Sequence, residues 1–131
     1  MTAARYDLTI DQGSDFSLEL TVKENGTAKD LSKWHGRAHL RKNKDDDAIA
    51  ADFSFNMNHD ASGDQLEADH GKMTMSLPFT TTDDLDAGIY YYDVEIYYNN
   101  SATPAPSDGS GITLVKRLFG GTATVTREIT R

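Results

Sequence analysis

Between Tyr90 and Tyr98 the chain alternates without interruption: Tyr90, Tyr92, Val94, Ile96 and Tyr98 share one parity, and Tyr91, Asp93, Glu95 and Tyr97 the other. A period of two puts these sets on opposite faces of an extended strand, and a helix would scatter both. So many large side chains on one face demand a second layer to cover them. The stretch is expected to be a central strand, and the fold must be built around a sheet.

The same period recurs on either side of it. Tyr6, Leu8 and Ile10 alternate with polar residues until Gly13, and Phe16, Leu18, Leu20 and Val22 alternate with Ser17, Glu19 and Thr21. Glu24-Asn25-Gly26-Thr27 then reads as a tight turn, because Asn and Gly accept the positive φ such turns need. Ala38 and Leu40 alternate with Arg37, His39 and Arg41, a strand with a basic outer face. Another strand is expected within Ile49–Met57, with Phe53, Phe55 and Met57 on one face. Met73, Met75 and Leu77 form the next, ended by Pro78. Thr80–Asp86 has room for one short helical turn before Gly88. Ile112–Leu118 and Thr122–Ile129 are expected as the last two strands, separated by a turn or bulge at Gly120-Gly121. The Lys42–Asp47 run, the Asn58–Gly71 stretch and the Asn99–Gly111 stretch are polar and aperiodic, and read as a turn, a long exposed loop and a mobile hairpin connection.

This pattern gives an all-β chain of about eight strands with almost no helix. Its 131 residues suit one domain spanning 1–131, since two separate cores would each be marginal. Thirteen basic residues against twenty-one acidic ones leave a formal charge of −8, a field that repels phosphate backbones and anionic bilayers, so neither nucleic acid nor membrane is an expected partner. The absence of cysteine excludes disulfides, thiolate metal sites and thiol nucleophiles, and is compatible with synthesis in a reducing cytoplasm. The first residues lack the apolar core of a standard export signal, and no run approaches the roughly 20 apolar residues of a membrane helix.

Asp86-Ala87-Gly88-Ile89-Tyr90-Tyr91-Tyr92 resembles the Asp-x-Gly-x-Tyr-x-Cys segment of immunoglobulin-like domains. The resemblance implies an antiparallel immunoglobulin-like β-sandwich of about seven to eight strands, with Tyr90 as a corner residue whose hydroxyl bonds back to the chain just upstream. It places Tyr92 where that family has its second cysteine. Leu20 and Trp34 fall at about the spacing of the first cysteine and the core tryptophan, implying an apolar cluster in place of the disulfide. A second likeness runs through nearly the whole chain. Tyr6–Gly13 followed by Asp15-Phe16, Asp30-Leu31-Ser32-x-Trp34, Ala38-x-Leu40-Arg41-Lys42, Leu85–Glu95 and Gly121–Arg131 together resemble small β-sandwich structural proteins of tailed bacteriophages, encoded among tail and baseplate genes.

Candidate chemistry is sparse. Asp45-Asp46-Asp47 lacks the spaced carboxylates, Gly and terminal Glu of a calcium loop, and a solvated turn is the simpler reading. His59-Asp60 and Asp69-His70 frame one loop and could meet over a metal, but without ligand spacing a solvated loop is again simpler. No nucleophile elbow or phosphate loop is present, so no catalytic residue, cofactor or metal is assigned, and an enzyme is not expected. The tyrosines Tyr91, Tyr97 and Tyr98 lie on or near the strand face away from the core, and Arg37, His39 and Arg41 with Lys42 form a basic strip. These are the candidate interface residues. Cross-strand packing of a sheet surface and a soluble strand edge are the plain alternatives.

The expected function is therefore that of a virion structural protein, a tail or baseplate connector made in the host cytoplasm. It would bind other phage structural proteins, or copies of itself as a homo-oligomer. Strand addition by Tyr6–Gly13 or Thr122–Arg131 is one specific form. The alternative is a carbohydrate- or surface-binding immunoglobulin-like module.

Overall fold

A computed structural model describes residues 4–43, 48–105 and 109–127. The Asp45-Asp46-Asp47 run, the C-terminal Glu128–Arg131 stretch and residues 106–108 of the second long loop lie outside them. Eleven strands are formed among the described residues: β1 (Ala4–Arg5), β2 (Leu8–Asp11), β3 (Phe16–Thr21), β4 (Lys23–Glu24), β5 (Thr27–Ala28), β6 (Trp34–Arg41), β7 (Ala51–Asp52), β8 (Ser54–Asn56), β9 (Lys72–Leu77), β10 (Gly88–Tyr98) and β11 (Leu114–Thr126). A 310 turn at Glu67–Asp69 and a single helical turn, α1 (Phe79–Asp83), complete the set. The all-β class expected from the periodicity holds, and Thr80–Asp86 carries the short helical turn.

Six strands form one mixed sheet in the order β1-β11-β10-β6-β7, with β2 also paired to β11. A second sheet has the order β3-β9-β8, and β4 and β5 make a hairpin of their own. The first sheet is not purely antiparallel, because β1 and β2 run parallel to β11. Tyr6–Gly13 and Thr122 onward, two segments considered for strand addition, thus pair with each other within the chain. Strand β10 is central, flanked by β11 and β6.

One core joins the two sheets. Leu8, Ile10, Leu40, Tyr90, Tyr92, Val94, Ile96, Ala123 and Val125 from the larger sheet are buried with Met73, Met75 and Leu77 from the smaller. The inward parity of β10 matches the expected set except at Tyr98, which is half-buried at the strand end. The Ile49–Met57 segment is split. Strand β7 pairs with β6 in the large sheet and β8 with β9 in the small one, and Phe53 between them donates its N–H to the Ala38 carbonyl at 3.0 Å. One stretch of chain therefore changes sheets, which a single alternating pattern cannot reveal. At the β4–β5 turn, Asn25 and Gly26 take φ of 54° and 80°, the left-handed pair a two-residue hairpin requires.

Two expectations fail at the end of the chain and in the long loop. Gly120 and Gly121 do not separate two strands, since β11 runs through them from Leu114 to Thr126. The ladder irregularity instead lies where Val94 pairs with Phe119 and Glu95 with Arg117, leaving Leu118 unmatched. The glycines serve close approach. A Cβ on Gly120 would stand 2.8 Å from the Tyr92 carbonyl oxygen, and one on Gly121 would stand 2.6 Å from Asp7 Oδ1 and 2.8 Å from the Tyr6 carbonyl oxygen. Asn58–Gly71 is not a simple exposed loop either. Gln65 is buried within it, with its amide oxygen accepting from Leu31 N–H (2.8 Å) and Gly71 N–H (3.2 Å). The amide nitrogen donates to the carbonyls of Met57 (2.7 Å) and Lys72 (3.0 Å). One side chain thus satisfies backbone groups from three parts of the chain, as burial of those groups requires.

Candidate functional site

The outward parity of the large sheet builds the surface of interest. Arg37, His39 and Arg41 of β6 stand opposite Glu95, Asp93 and Tyr91 of β10 in the strand register. Across the other side of β10, Tyr91 faces Thr122 and Glu95 faces Arg117 of β11. The sheet curls so that these side chains line a shallow, open concavity of about 990 Å³, with Arg5 joining from β1. Four arginines, Arg5, Arg37, Arg41 and Arg117, share this lining with two carboxylates, Asp93 and Glu95. In a chain of charge −8 this face is locally cationic.

Most of these charges are held in place by neighbours. Arg37 bonds to Glu95 directly across the β6–β10 ladder, and its guanidinium lies 5.2 Å from the centroid of the Tyr97 ring. Arg117 reaches Asp93 at 3.4 Å, and His39 reaches Asp52 at 2.9 Å. Arg5 bonds to Asp7 at 3.3 Å, and Asp7 in turn accepts the Thr122 N–H at 3.0 Å. That N–H, chiefly, holds the Asp7 carboxyl below its ordinary pKa. Exposed pairs of this kind contribute about 0–1 kcal/mol each to stability. Their effect is to turn Arg5, Arg37 and Arg117 toward neighbouring carboxylates.

The candidate tyrosines separate into three environments. Tyr91 lies in the concavity beside Arg41. Tyr97 shares its outward parity but is only 5% exposed, because residues 99–105 fold back over it and the Ala105 N–H donates to its hydroxyl at 3.2 Å. Tyr98 packs edge-on against Trp34 with ring centroids 5.7 Å apart, away from the concave face. The structure therefore brings together Tyr91, Arg37, His39 and Arg41 and leaves Tyr97 and Tyr98 outside the accessible surface patch. Arg5 and Arg117, which sequence reasoning missed, complete it. Arg117 sits within a strand that was read from its apolar residues, and only the β10–β11 register reveals its position.

The tyrosine corner is present. Tyr90, 2% exposed, donates its hydroxyl to the Asp86 carbonyl at 2.8 Å, and burial pushes its pKa up. Gly88 begins β10 at φ 145°, a conformation that favours glycine. Asp86 itself is exposed and lies 3.6 Å from Lys42. Tyr92 is also buried, and its hydroxyl donates to the Tyr6 carbonyl, tying the central strand to the N-terminal segment. Burial raises its pKa strongly. Trp34 and Tyr92 belong to one core with Leu20 packed against it, but Trp34 and Tyr92 do not stand side by side. The register sets Tyr92 opposite Leu40 and Trp34 opposite Tyr98, six residues away along the ladder, and the ring neighbours of Tyr92 are Phe53 and Phe119.

His35, His59 and His70 go to structural tasks. His35, 4% exposed, donates Nε2–H to the Ser101 carbonyl at 3.0 Å. Its ring lies 5.4 Å from that of His59 and 5.5 Å from that of Tyr97. His59 bonds to the Leu31 carbonyl at 2.9 Å, whereas His70 lies 3.6 Å from Asp30. The two histidines that frame the long loop are therefore engaged separately. No group of three His, Asp or Glu among the described residues is placed to hold a metal ion. No helix among them is long and apolar enough to cross a membrane.

No protein-family model matches the chain, and no curated protein matches it.

Proposed function

We propose that the chain is a structural protein of a tailed-phage virion, a tail or baseplate connector that works by protein–protein docking without chemistry. The observation that carries the docking part is the concave face of the large sheet. Its lining has more arginines than carboxylates within an acidic chain, three of its four guanidiniums pair with neighbouring carboxylates, and it carries an accessible tyrosine, the composition that recurs at interface hot spots. The phage assignment rests on the chain-wide likeness from Tyr6 to Arg131. The finer reading of the fold as an immunoglobulin-like sandwich is supported by the Tyr90 corner and by the grouping of β3, β9 and β8 in one sheet against β11, β10 and β6 in the other. An acidic partner face suits this lining best, because its arginines outnumber its carboxylates four to two.

The test is negative-stain imaging of purified virions of the encoding phage with an antibody raised against this chain. Labelling at the tail or baseplate is the expected result. Absence of the chain from every purified particle would overturn the assignment.

A further inference from the structure

We infer that β3 is a docking edge at which a second copy of this chain pairs antiparallel about a two-fold axis centred on Leu18. Strand β3 is the terminal strand of its sheet and pairs only with β9. Several other sheet edges among the described residues are short or broken, and the Leu114–Leu118 end of β11, which pairs only with β10, carries Lys116 and Arg117, charges that discourage pairing. Strands β7 and β8 have two and three residues, and the N-terminal edge is interrupted at Tyr6-Asp7 between β1 and β2. Strand β3 is an uninterrupted edge of six residues, Phe16–Thr21. It contains no proline, lysine or inward charge, and Glu19 is its one charged side chain.

The register shows which groups are offered. The Val22 N–H donates to the Gly71 carbonyl at 2.7 Å, one step beyond the Thr21–Lys72 pair. Antiparallel pairs alternate between bonded and non-bonded, so the backbone groups of Phe16, Leu18 and Leu20 point at β9. Those of Ser17, Glu19 and Thr21 point outward. Meanwhile Phe16, Leu18 and Leu20 are only partly covered, whereas Met73, Met75 and Leu77 on the adjoining strand are buried.

The sequence Phe16-Ser17-Leu18-Glu19-Leu20 reads apolar, polar, apolar, polar, apolar about Leu18, so it complements itself. Centring on Leu18 sets Phe16 against Leu20 of the second copy, Leu18 against its counterpart, and Ser17 against Glu19. Ser17 and Glu19 then exchange backbone bonds through the groups that point outward, and the half-covered apolar side chains close over one another. Centring on Glu19 would set two carboxylates face to face, which disfavours that register. Centring between residues would set leucine against glutamate.

The chain has no cysteine, so a single introduced one reports the register cleanly. Leu18 sits at a non-bonded pair across the two-fold axis, with Cα atoms about 4.5 Å apart, within disulfide reach. Under mild oxidation Leu18→Cys is expected to cross-link on the order of tenfold or more faster than the exposed control Thr124→Cys, through its high local concentration. Sedimentation of the unmodified chain is expected to show a concentration-dependent dimer. Ser17→Pro removes one outward N–H at an edge position that tolerates proline, and should leave circular dichroism unchanged while yielding a monomer. A chain that stays monomeric at hundreds of micromolar overturns the inference. So does a dimer that survives Ser17→Pro in a folded variant, or a Leu18→Cys cross-linking rate no faster than the control. None of these readouts depends on the virion assignment.

Discussion

Replacing Gln65 by Leu tests whether the long loop is a structural element. The amide makes four hydrogen bonds, to Leu31 N–H, Gly71 N–H, the Met57 carbonyl and the Lys72 carbonyl. The Lys72 carbonyl keeps a second donor, Asn58 Nδ2 at 3.0 Å, so three backbone groups lose their side-chain partner. Each buried group left unsatisfied costs about 1–3 kcal/mol, and the lower end for three gives about 3 kcal/mol. At about 4 °C per kcal/mol for a domain of this size, the melting temperature should fall by about 12 °C. Urea and thermal unfolding measure both quantities. A Gln65→Glu variant sharpens the test, because a carboxylate keeps the two acceptor roles but opposes two carbonyl oxygens. Its carboxyl is favoured in the neutral form when folded, so its stability deficit relative to the parent should shrink as pH falls through the carboxylate range. A loss below about 1 kcal/mol for Gln65→Leu, or no pH-dependent recovery for Gln65→Glu, would refute the reasoning.

Three further outcomes follow from the same geometry. Tyr90→Phe removes the hydroxyl bonded to the Asp86 carbonyl and should cost about 1 kcal/mol in urea unfolding; no change would mean the corner bond contributes nothing. Gly121→Ala forces a Cβ to within 2.6 Å of Asp7 Oδ1, so a loss of about 1–3 kcal/mol is expected, and an unchanged midpoint would deny the close approach. Burial holds the His35 pKa below the ordinary 6.5, with the Ser101 carbonyl opposing it and His59 adding to it. In the window below 6.5 the unfolded chain binds the proton and the folded chain resists it. Stability from this group is therefore complete above that window and is lost as pH falls through it, and His35→Gln should flatten the slope between pH values of about 7.5 and 5.5. The lowered carboxyls of Asp7, Asp30 and Asp60 have ordinary values of 3.8, so they titrate below that range. An unaltered slope would count against a buried neutral imidazole.

Much of the sheet was legible because each strand carries its own period-two pattern. Strand β10 declares itself, and the Asn25-Gly26 turn is local chemistry. What the pattern cannot carry is which strands meet. The parallel pairing of β1 and β2 with β11, and the change of sheet at Phe53, depend on contacts far apart in sequence. Gly120-Gly121 suggests a turn or bulge because glycine permits either, yet its use here is to admit Tyr6, Asp7 and the β10 backbone. At the candidate site the parity placed Arg37, His39, Arg41 and Tyr91 on the outer face. It could not show that residues 99–105 return to cover Tyr97, nor that the register adds Arg5 and Arg117. Gln65 had no signal at all, since a lone glutamine in a polar run resembles any solvated residue until its four partners are in place.

The central claim is that the concave arginine face is the docking surface for an acidic partner in the particle. Incorporation of an Arg37→Gln/Arg41→Gln variant into virions, followed by immunoblotting of purified particles beside the unmodified chain, tests it most directly. The variant should fold with unchanged circular dichroism, because both side chains project outward from β6, and should be missing from particles that contain the unmodified chain. Equal incorporation of the folded double variant would contradict the claim.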